Sequence, residues 1–493
     1  MFKEYIIKFM AAEYENRIMI FDYDGFENRF SYSEVLSELG FTVLHYEDVL
    51  KFRYLYERKI KNSNKKFAVV VEKEIYIPYD VLSAFYRVDL GWYYLFPKLN
   101  KKVLCESKSI DLDLLYSAYL KLYTSLPVSE DTNAYIVNNV YGKENVETFI
   151  QKSNKELLDM VSEDSIKYNM WFQIAAKKAK IEYLAARSGV NLDLSFVDEK
   201  FKAFILDGYN TISSLIHKAS PVMVSRVMDF IYKKNEKIAL IVLDGMSVFD
   251  FNIISEELND IDYQENFIYT LIPTTTAISR QSLLSGKFPV ELEKPFDLSR
   301  EEKEFFDKAK DIGYTENQIL YVRGYEQAIG PNIKCLVVVL NEIDDLVHNQ
   351  TQGRIGMYYD VGYFAKTRKL QKLIKDLSNM GFNVYLTSDH GNTICKGIGT
   401  PNRTSIEIQS KAKRMLIFKD FADNKDFIDK YKMIDYPGYY LDKHYKYYIC
   451  DTGNSFNIKG STIMTHGGIS IDEVIVPFIK VKEVRNGKKS WNE

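Results

Sequence analysis

From Lys237 onward the chain repeats one pattern, a short unbroken apolar run followed by a stretch of helical spacing. Ile238-Ala239-Leu240-Ile241-Val242-Leu243 opens the series. Phe267 to Ile272, Ile319 to Val322, Cys335 to Leu340, Val384 to Thr387, Met415 to Phe418 and Val474 to Ile479 continue it. An unbroken run of this kind marks a strand buried on both faces of a sheet. Between the runs, Phe364, Leu370, Leu373 and Leu377 fall at helical steps, closed by Gly381 where a C-cap is expected. Strands alternating with helices predict an α/β fold with a doubly wound, mostly parallel sheet. Open sheets of this class bind ligands outside the carboxyl ends of their strands. The residues that follow each run are therefore where chemistry is expected.

Ahead of this region, Arg17 to Phe21 and Lys66 to Val71 read as strands of a small α/β unit. From Ile110 to Asn235 the apolar residues (Leu157 and Val161, Trp171 and Ile174, Phe201 and Ile205) keep helical steps. The sequence thus predicts three domains: an N-terminal α/β domain 1–109, a helical domain 110–236 and the sheet domain 237–485. The irregular stretch 391–465 is expected to be an insertion near the site. A net charge of −3 supplies no bulk argument for a nucleic-acid partner. The four cysteines form no C-x-x-C pair, and so imply neither a disulfide framework nor a zinc ribbon. The start of the chain lacks the apolar core of a secretory signal, and no segment approaches the ~18 apolar residues of a membrane span. The chain is expected in the cytoplasm, with no membrane partner.

Five places after the runs carry residues suited to metal binding or nucleophilic attack. Asp244, in Leu243-Asp244-Gly245-Met246, reads equally well as a helix cap when taken alone. In Pro273-Thr274-Thr275-Thr276-Ala277-Ile278-Ser279-Arg280, continuing to Gly286, a run of hydroxyls is most often an N-cap. The same free amides can also cradle phosphate oxygens. Asp344 and His348 are four residues apart, so a helical turn puts both within reach of one metal. A solvated turn explains that pair as well. Thr387-Ser388-Asp389-His390-Gly391 and Thr465-His466-Gly467-Gly468 complete the set. Three of the six histidines fall at these places, whereas His45, His217 and His444 do not. Each motif has an ordinary explanation; their joint occurrence does not.

Together these residues resemble the metal-site pattern of the alkaline phosphatase superfamily, which includes nucleotide pyrophosphatases and cofactor-independent phosphoglycerate mutases. Pro273 to Gly286 is similar to the nucleophile segment of the pyrophosphatases, where a threonine three residues after the proline attacks phosphorus. That resemblance implies Thr276 as the nucleophile. It also implies Asp344, His348 and His466 as ligands of one metal, and Asp244, Thr276, Asp389 and His390 as ligands of another. Within the superfamily, His466-Gly467-Gly468-Ile469-Ser470 and Glu473-Val474-Ile475-Val476-Pro477 resemble the ending of PglZ-domain proteins, over a span from Lys237 to about Val481. Such proteins occur in bacterial phage-exclusion (BREX-type) systems and in some signalling proteins. Related members are metal-dependent phosphodiesterases acting on nucleotides. The resemblance thus implies an antiviral-defence hydrolase with a nucleotide or oligonucleotide phosphoester as substrate and other defence proteins as partners. The asparagine that pyrophosphatases place after the nucleophile segment has no counterpart in Lys287 to Lys294. Arg280 and Lys287 are the candidates for holding the third phosphate oxygen.

Three imidazoles with three carboxylates suit two zinc or manganese ions better than calcium or magnesium. Two divalent ions about 4 Å apart stabilise the attacking and leaving oxygens of an in-line displacement. Metal coordination also favours the threonine alkoxide. The path so implied is a phosphothreonine at Thr276, then attack by water. Three carboxylates and an alkoxide offset two divalent ions, a balance that suits a monoanionic diester better than a dianionic monoester. A phosphodiesterase is expected; the alternatives are a phosphomonoesterase and a non-catalytic assembly subunit of a defence complex. Phe21-Asp22-Tyr23-Asp24-Gly25 resembles the first motif of haloacid-dehalogenase phosphatases, but Phe26 and the lack of a later acidic pair argue against it. Leu206-Asp207-Gly208 copies Leu243-Asp244-Gly245 within helical spacing, and the basic stretch Lys51 to Lys66, with its interleaved aromatics, reads as a solvated amphipathic helix more readily than as a nucleic-acid contact.

Overall fold

A computed structural model describes residues 1–72, 75–107, 110–218, 220–233, 236–326, 328–401, 413–419 and 425–484. The expected domain edges at 109 and 485, Asn235, and residues 402–412 and 420–424 of the expected insertion lie outside the described residues. By compactness the chain forms two units, Met1–Phe149 and Ile150–Glu493.

The first unit is built on four parallel strands, β1 (Arg17–Asp22), β2 (Phe41–His45), β3 (Lys66–Val71) and β4 (Tyr86–Leu90), in the order β2-β3-β1-β4. Asp22 of the dehalogenase-like motif accepts hydrogen bonds from Phe26 N (2.7 Å), Glu27 N (3.0 Å) and the Tyr32 hydroxyl (3.0 Å). Both of its oxygens are spent on the turn after β1. The basic stretch is a helix, Val49–Leu55, continued by a wider turn, Tyr56–Ile60. Phe52 and Tyr56 are buried there, while Lys51 pairs with Glu47, Lys61 with Glu57, and Arg53 with Asp80.

In the second unit, helices Tyr168–Arg187 and Ser195–Gly208 precede the main sheet, and Leu206-Asp207-Gly208 ends the second of them. The sheet comprises β5 (Lys237–Leu243), β6 (Ile261–Tyr269), β7 (Ile319–Arg323), β8 (Cys335–Leu340), β9 (Phe382–Thr387) and the last strand among the described residues, Ile475–Val484. The first five run in one direction. The last strand lies antiparallel between β6 and β9. Alternate residues of each run face opposite sides. Ala239, Ile241, Leu243, Leu336, Val338 and Leu340 pack under helices Val248–Ser255, Glu342–Asn349, Gly353–Lys366 and Lys369–Asn379. Leu240, Val242, Val337 and Val339 are buried on the other face. There Phe230 meets Phe478 with ring centroids 5.7 Å apart, and Phe305 meets Tyr321 at 6.3 Å. The continuous apolar character of the runs follows from this two-sided burial.

The described residues of the stretch expected to be irregular include two small sheets. One has β10 (Thr393–Gly397), β14 (Asn454–Ser455) and β15 (Thr462–Thr465) in the order β14-β10-β15. The other has β11 (Met415–Lys419), β12 (Met433–Tyr436) and β13 (Tyr445–Cys450) in the order β11-β13-β12. The closing strand of the main sheet is β16. Among the described residues no helix is long and apolar enough to cross a membrane.

Candidate active site

The strands β5, β6, β8 and β9 end at one edge of the main sheet, and β16 begins there. That edge receives Asp244 after β5, Thr276 after β6, Asp344 after β8, and Asp389 with His390 after β9. His466 follows β15 and leads into β16. Thr276 is the first residue of helix Thr276–Ser285, and the side chain of the N-cap residue Thr275 makes no capping hydrogen bond. The first-turn amides of a helix lack intrahelical partners, so they remain available to an anion.

All seven residues expected at a metal site come together. Thr276 Oγ1 lies 3.0 Å from His390 Nε2. That nitrogen is 3.6 Å from Asp244 Oδ1 and 4.0 Å from Asp389 Oδ2. The rings of His390 and His466 stack with centroids 4.1 Å apart. Asp344 Oδ1 is 3.6 Å from His466 Nε2, and its Oδ2 is 3.3 Å from His348 Nε2. His348 is the most exposed member, at 29% of its side chain. Ligand atoms of Asp344, His390 and His466 lie within 4.8 Å of one another, as do those of Asp244, Asp389 and His390. His390 is therefore within reach of both groups.

Local hydrogen bonds aim these atoms. Nδ1 of His466 donates to the Thr274 carbonyl at 2.8 Å, and Nδ1 of His390 donates to the Gly391 carbonyl at 3.0 Å. With the proton on Nδ1, each Nε2 keeps its lone pair for a metal. Asp389 Oδ1 accepts from Gly245 N (3.2 Å) and His390 N (3.1 Å), which leaves Oδ2 free. Gly245 turns the chain at φ +74°, where a Cβ would meet Asp344 Oδ1 at 3.3 Å.

Four inward-facing atoms, Asp244 Oδ1, Asp344 Oδ1, Asp389 Oδ2 and His466 Nε2, are buried without a hydrogen-bond partner. Such atoms cost free energy unless something satisfies them. Their chemistry, anionic oxygen and neutral imidazole, is that of ligands for a divalent cation, so the residues fit metal ions. Electrostatics agrees. Burial, with the neighbouring Asp244 charge, pushes the Asp389 carboxyl well above the usual range, as expected of crowded acids without a cation. Burial also opposes ionisation of Asp344, but the His348 hydrogen bond and the nearby His466 and His390 rings outweigh it and hold the carboxyl below its usual range. Burial and the nearby His390 push the His466 imidazole down to about 4, so the ring is neutral near pH 7. The hydrogen bond to Asp344 raises His348.

The two residues expected to hold phosphate both have their head groups engaged by carboxylates. Arg280 is buried and bonded to Asp244 and Glu301. Lys287 follows the far end of the Thr276–Ser285 helix, roughly 15 Å along its axis, and pairs with Glu304 at 3.1 Å. Supporting residues unread in the sequence include Ser388, whose hydroxyl donates to the Leu243 carbonyl at 2.7 Å and accepts from Met246 N at 2.9 Å. Arg414, fully buried, pairs with the Glu473 carboxylate and donates to Ser470 Oγ at 2.9 Å. Glu473 in turn accepts from Gly468 N (2.9 Å) and Ser470 N (3.0 Å), and so holds the turn after His466. The pairing of Glu473 with a distant arginine had no signal in the sequence.

Fold and site define an α/β protein of alkaline-phosphatase type, with a hydroxyl set among candidate ligands for divalent metals at one sheet edge. The chain belongs to the PglZ family: the family model described as the BREX system PglZ alkaline phosphatase-like domain matches residues 222–481, more than half of its length. Family and site together support a metal-dependent phosphoesterase. Among solved structures, the chain is similar to murine ectonucleotide pyrophosphatase/phosphodiesterase 5, with 13% identity and a TM-score of 0.35, over 50% of this chain and 88% of that one. The human protein of the same name matches at 12% identity and 0.34, over 50% and 87%. Phosphonoacetate hydrolase from Sinorhizobium meliloti, in complex with phosphonoformate, matches at 11% and 0.34, over 51% and 92%. No curated protein matches the chain.

Proposed function

We propose that this chain is a cytoplasmic two-metal phosphodiesterase that cleaves nucleotide or oligonucleotide phosphoesters through a phosphothreonine at Thr276, in a bacterial phage-defence system of BREX type. One observation carries the reading. The Thr276 hydroxyl stands at a helix N-terminus, 3.0 Å from His390 Nε2, inside a ring of buried carboxylate and imidazole atoms that have no partner. Asp244, Asp389 and His390 with Thr276 would hold one ion, and Asp344, His348 and His466 the other. Zinc suits three imidazoles best, with manganese next. Bound divalent ions would polarise the phosphoryl oxygens and acidify the attacking hydroxyl.

The chain's own groups supply the rest. Free amides at the start of the Thr276 helix face the phosphoryl oxygens. His390 Nε2 and Thr276 Oγ1, 3.0 Å apart, are placed to hold the same ion, which would fix the direction of Oγ1. Oγ1 gives up its proton to solvent and bonds to phosphorus as the ester oxygen leaves with its electron pair and takes up a proton from solvent. Water then displaces Oγ1, releasing phosphate or its monoester and restoring the hydroxyl. Replacing His466 by Ala is expected to lower the divalent metal bound from about two equivalents to about one. Metal analysis of stripped and reloaded protein measures this, and undiminished binding would remove His466 from the ligand set.

Preference for diesters is supported by the engagement of Arg280 with Asp244 and Glu301 and of Lys287 with Glu304, since neither is free to balance a second phosphate charge. The monoesterase alternative has Lys413 in its favour, an exposed cation whose charge opposes protonation of His348. Turnover of bis-p-nitrophenyl phosphate is expected to exceed that of p-nitrophenyl phosphate by about tenfold or more, the effect of ~1.4 kcal/mol in transition-state binding. A preference for the monoester would reverse the assignment.

A further inference from the structure

Arg280 lies one helical turn beyond Thr276, and a four-residue step places both side chains on one face of the helix. Its head is 1% exposed. Nη1 donates to Asp244 Oδ2 at 2.5 Å and lies 3.9 Å from Asp389 Oδ2. Nε donates to Glu301 Oε2 at 2.6 Å. The other oxygen of Glu301 accepts from the Tyr321 hydroxyl and from Arg323 Nη2, so Glu301 is itself held from behind. Asp244 Oδ1, by contrast, has no hydrogen-bond partner and faces His390 Nε2 at 3.6 Å.

We infer that Arg280 is a positioning residue that makes Asp244 a one-oxygen metal ligand. The inference rests on the metal-site reading above. A guanidinium is planar, and its donors hold fixed directions, so it restrains the rotation of a carboxylate as an ammonium cannot. With Oδ2 engaged, Asp244 offers a divalent ion Oδ1 alone. A carboxylate free to turn would present both oxygens and fill a coordination position that a reactive metal site keeps open for substrate. The clamp on Glu301 keeps Arg280 in place, and the same two bonds withhold its head from phosphate. Arg280 thus acts through Asp244 and touches no reacting atom.

Cobalt substitution tests this without relying on turnover. Cobalt(II) absorbs visible light strongly at low coordination number and weakly when six-coordinate. Two variants are compared with wild type: Arg280→Lys, and Arg280→Gln combined with Glu301→Gln. The first keeps a buried positive charge and loses the planar fork. The second removes both charges, leaving no lone carboxylate at Glu301. Both are expected to show weaker cobalt bands, the double variant more so. With zinc restored, kcat should fall roughly 10- to 100-fold, the usual size of an outer-shell effect, while KM for bis-p-nitrophenyl phosphate stays within about twofold. Arg280→Lys reports on the inference even if the double variant does not fold. Unchanged bands in Arg280→Lys overturn the inference, as does a rise in KM with the spectrum intact, which would make Arg280 a phosphate contact. Wild-type protein that takes up no cobalt overturns the metal reading itself, a result separable from the first two.

Discussion

Thr276→Ala is expected to abolish phosphodiester turnover, with kcat falling roughly 10⁴- to 10⁶-fold, as when the nucleophile of a covalent mechanism is removed. The substitution deletes the oxygen proposed to bond to phosphorus and leaves the surrounding carboxylates and imidazoles in place. Thr276 is the first residue of its helix, where alanine is well tolerated, and the side chain of the N-cap residue is not involved in capping. The melting curve should therefore hardly move. Steady-state kinetics on bis-p-nitrophenyl phosphate, beside circular dichroism melts of both proteins, measure the two effects. A variant that keeps a tenth of the turnover would place the nucleophile elsewhere. Wild-type protein that is inert when loaded with zinc or manganese would favour the assembly-subunit alternative.

Arg414→Leu is expected to destabilise the second unit by about 3–5 kcal/mol, the cost of breaking one side of a buried ion pair. Arg414 and Glu473 are both fully buried, and Arg414 also donates to the Asn454 carbonyl at 3.0 Å. Removing the guanidinium leaves the Glu473 carboxylate uncompensated beside the Gly467-Gly468 turn. A Cβ at Gly468 would stand 2.6 Å from Arg414 Cζ, so this glycine is what lets the guanidinium approach. Urea unfolding of the single variant, and of Arg414→Leu with Glu473→Leu, measures the effect. The double variant should regain part of the loss, because a pair of apolar residues leaves no lone charge. A single variant within about 1 kcal/mol of wild type would show that the pair is dispensable.

How much could be read in the sequence varied with burial. β5 and β8 were legible almost to the residue because they lie inside the sheet with both faces covered, so every position is apolar. β6 was read as Phe267 to Ile272 but runs Ile261–Tyr269. As the edge strand it alternates half-exposed polar residues, and its first half lacks an apolar run. β10 and β15 were hidden because they are short and antiparallel, with Thr393, Lys396 and Thr462 among their positions. The residues that converge at the sheet edge stood out in the sequence more than the strands around them. Residues that ligate metals are few in kind, and their place after each run is set by the sheet. Their partners (Thr274, Ser388, Glu301 and Arg414) are common residue types that act across long sequence separations, and spacing carries no trace of them.

The strand order has a consequence for biosynthesis. β16 is translated after the other five strands of the main sheet, yet it occupies an interior position between β6 and β9. Until it emerges from the ribosome, β9 keeps one unpaired row of backbone amides and carbonyls, and β6 has no partner strand in the main sheet. Such edges invite aggregation. His466 is made only shortly before it. A chain terminated before residue 466 therefore lacks both the strand that joins β6 to the sheet and the imidazole that faces Asp344.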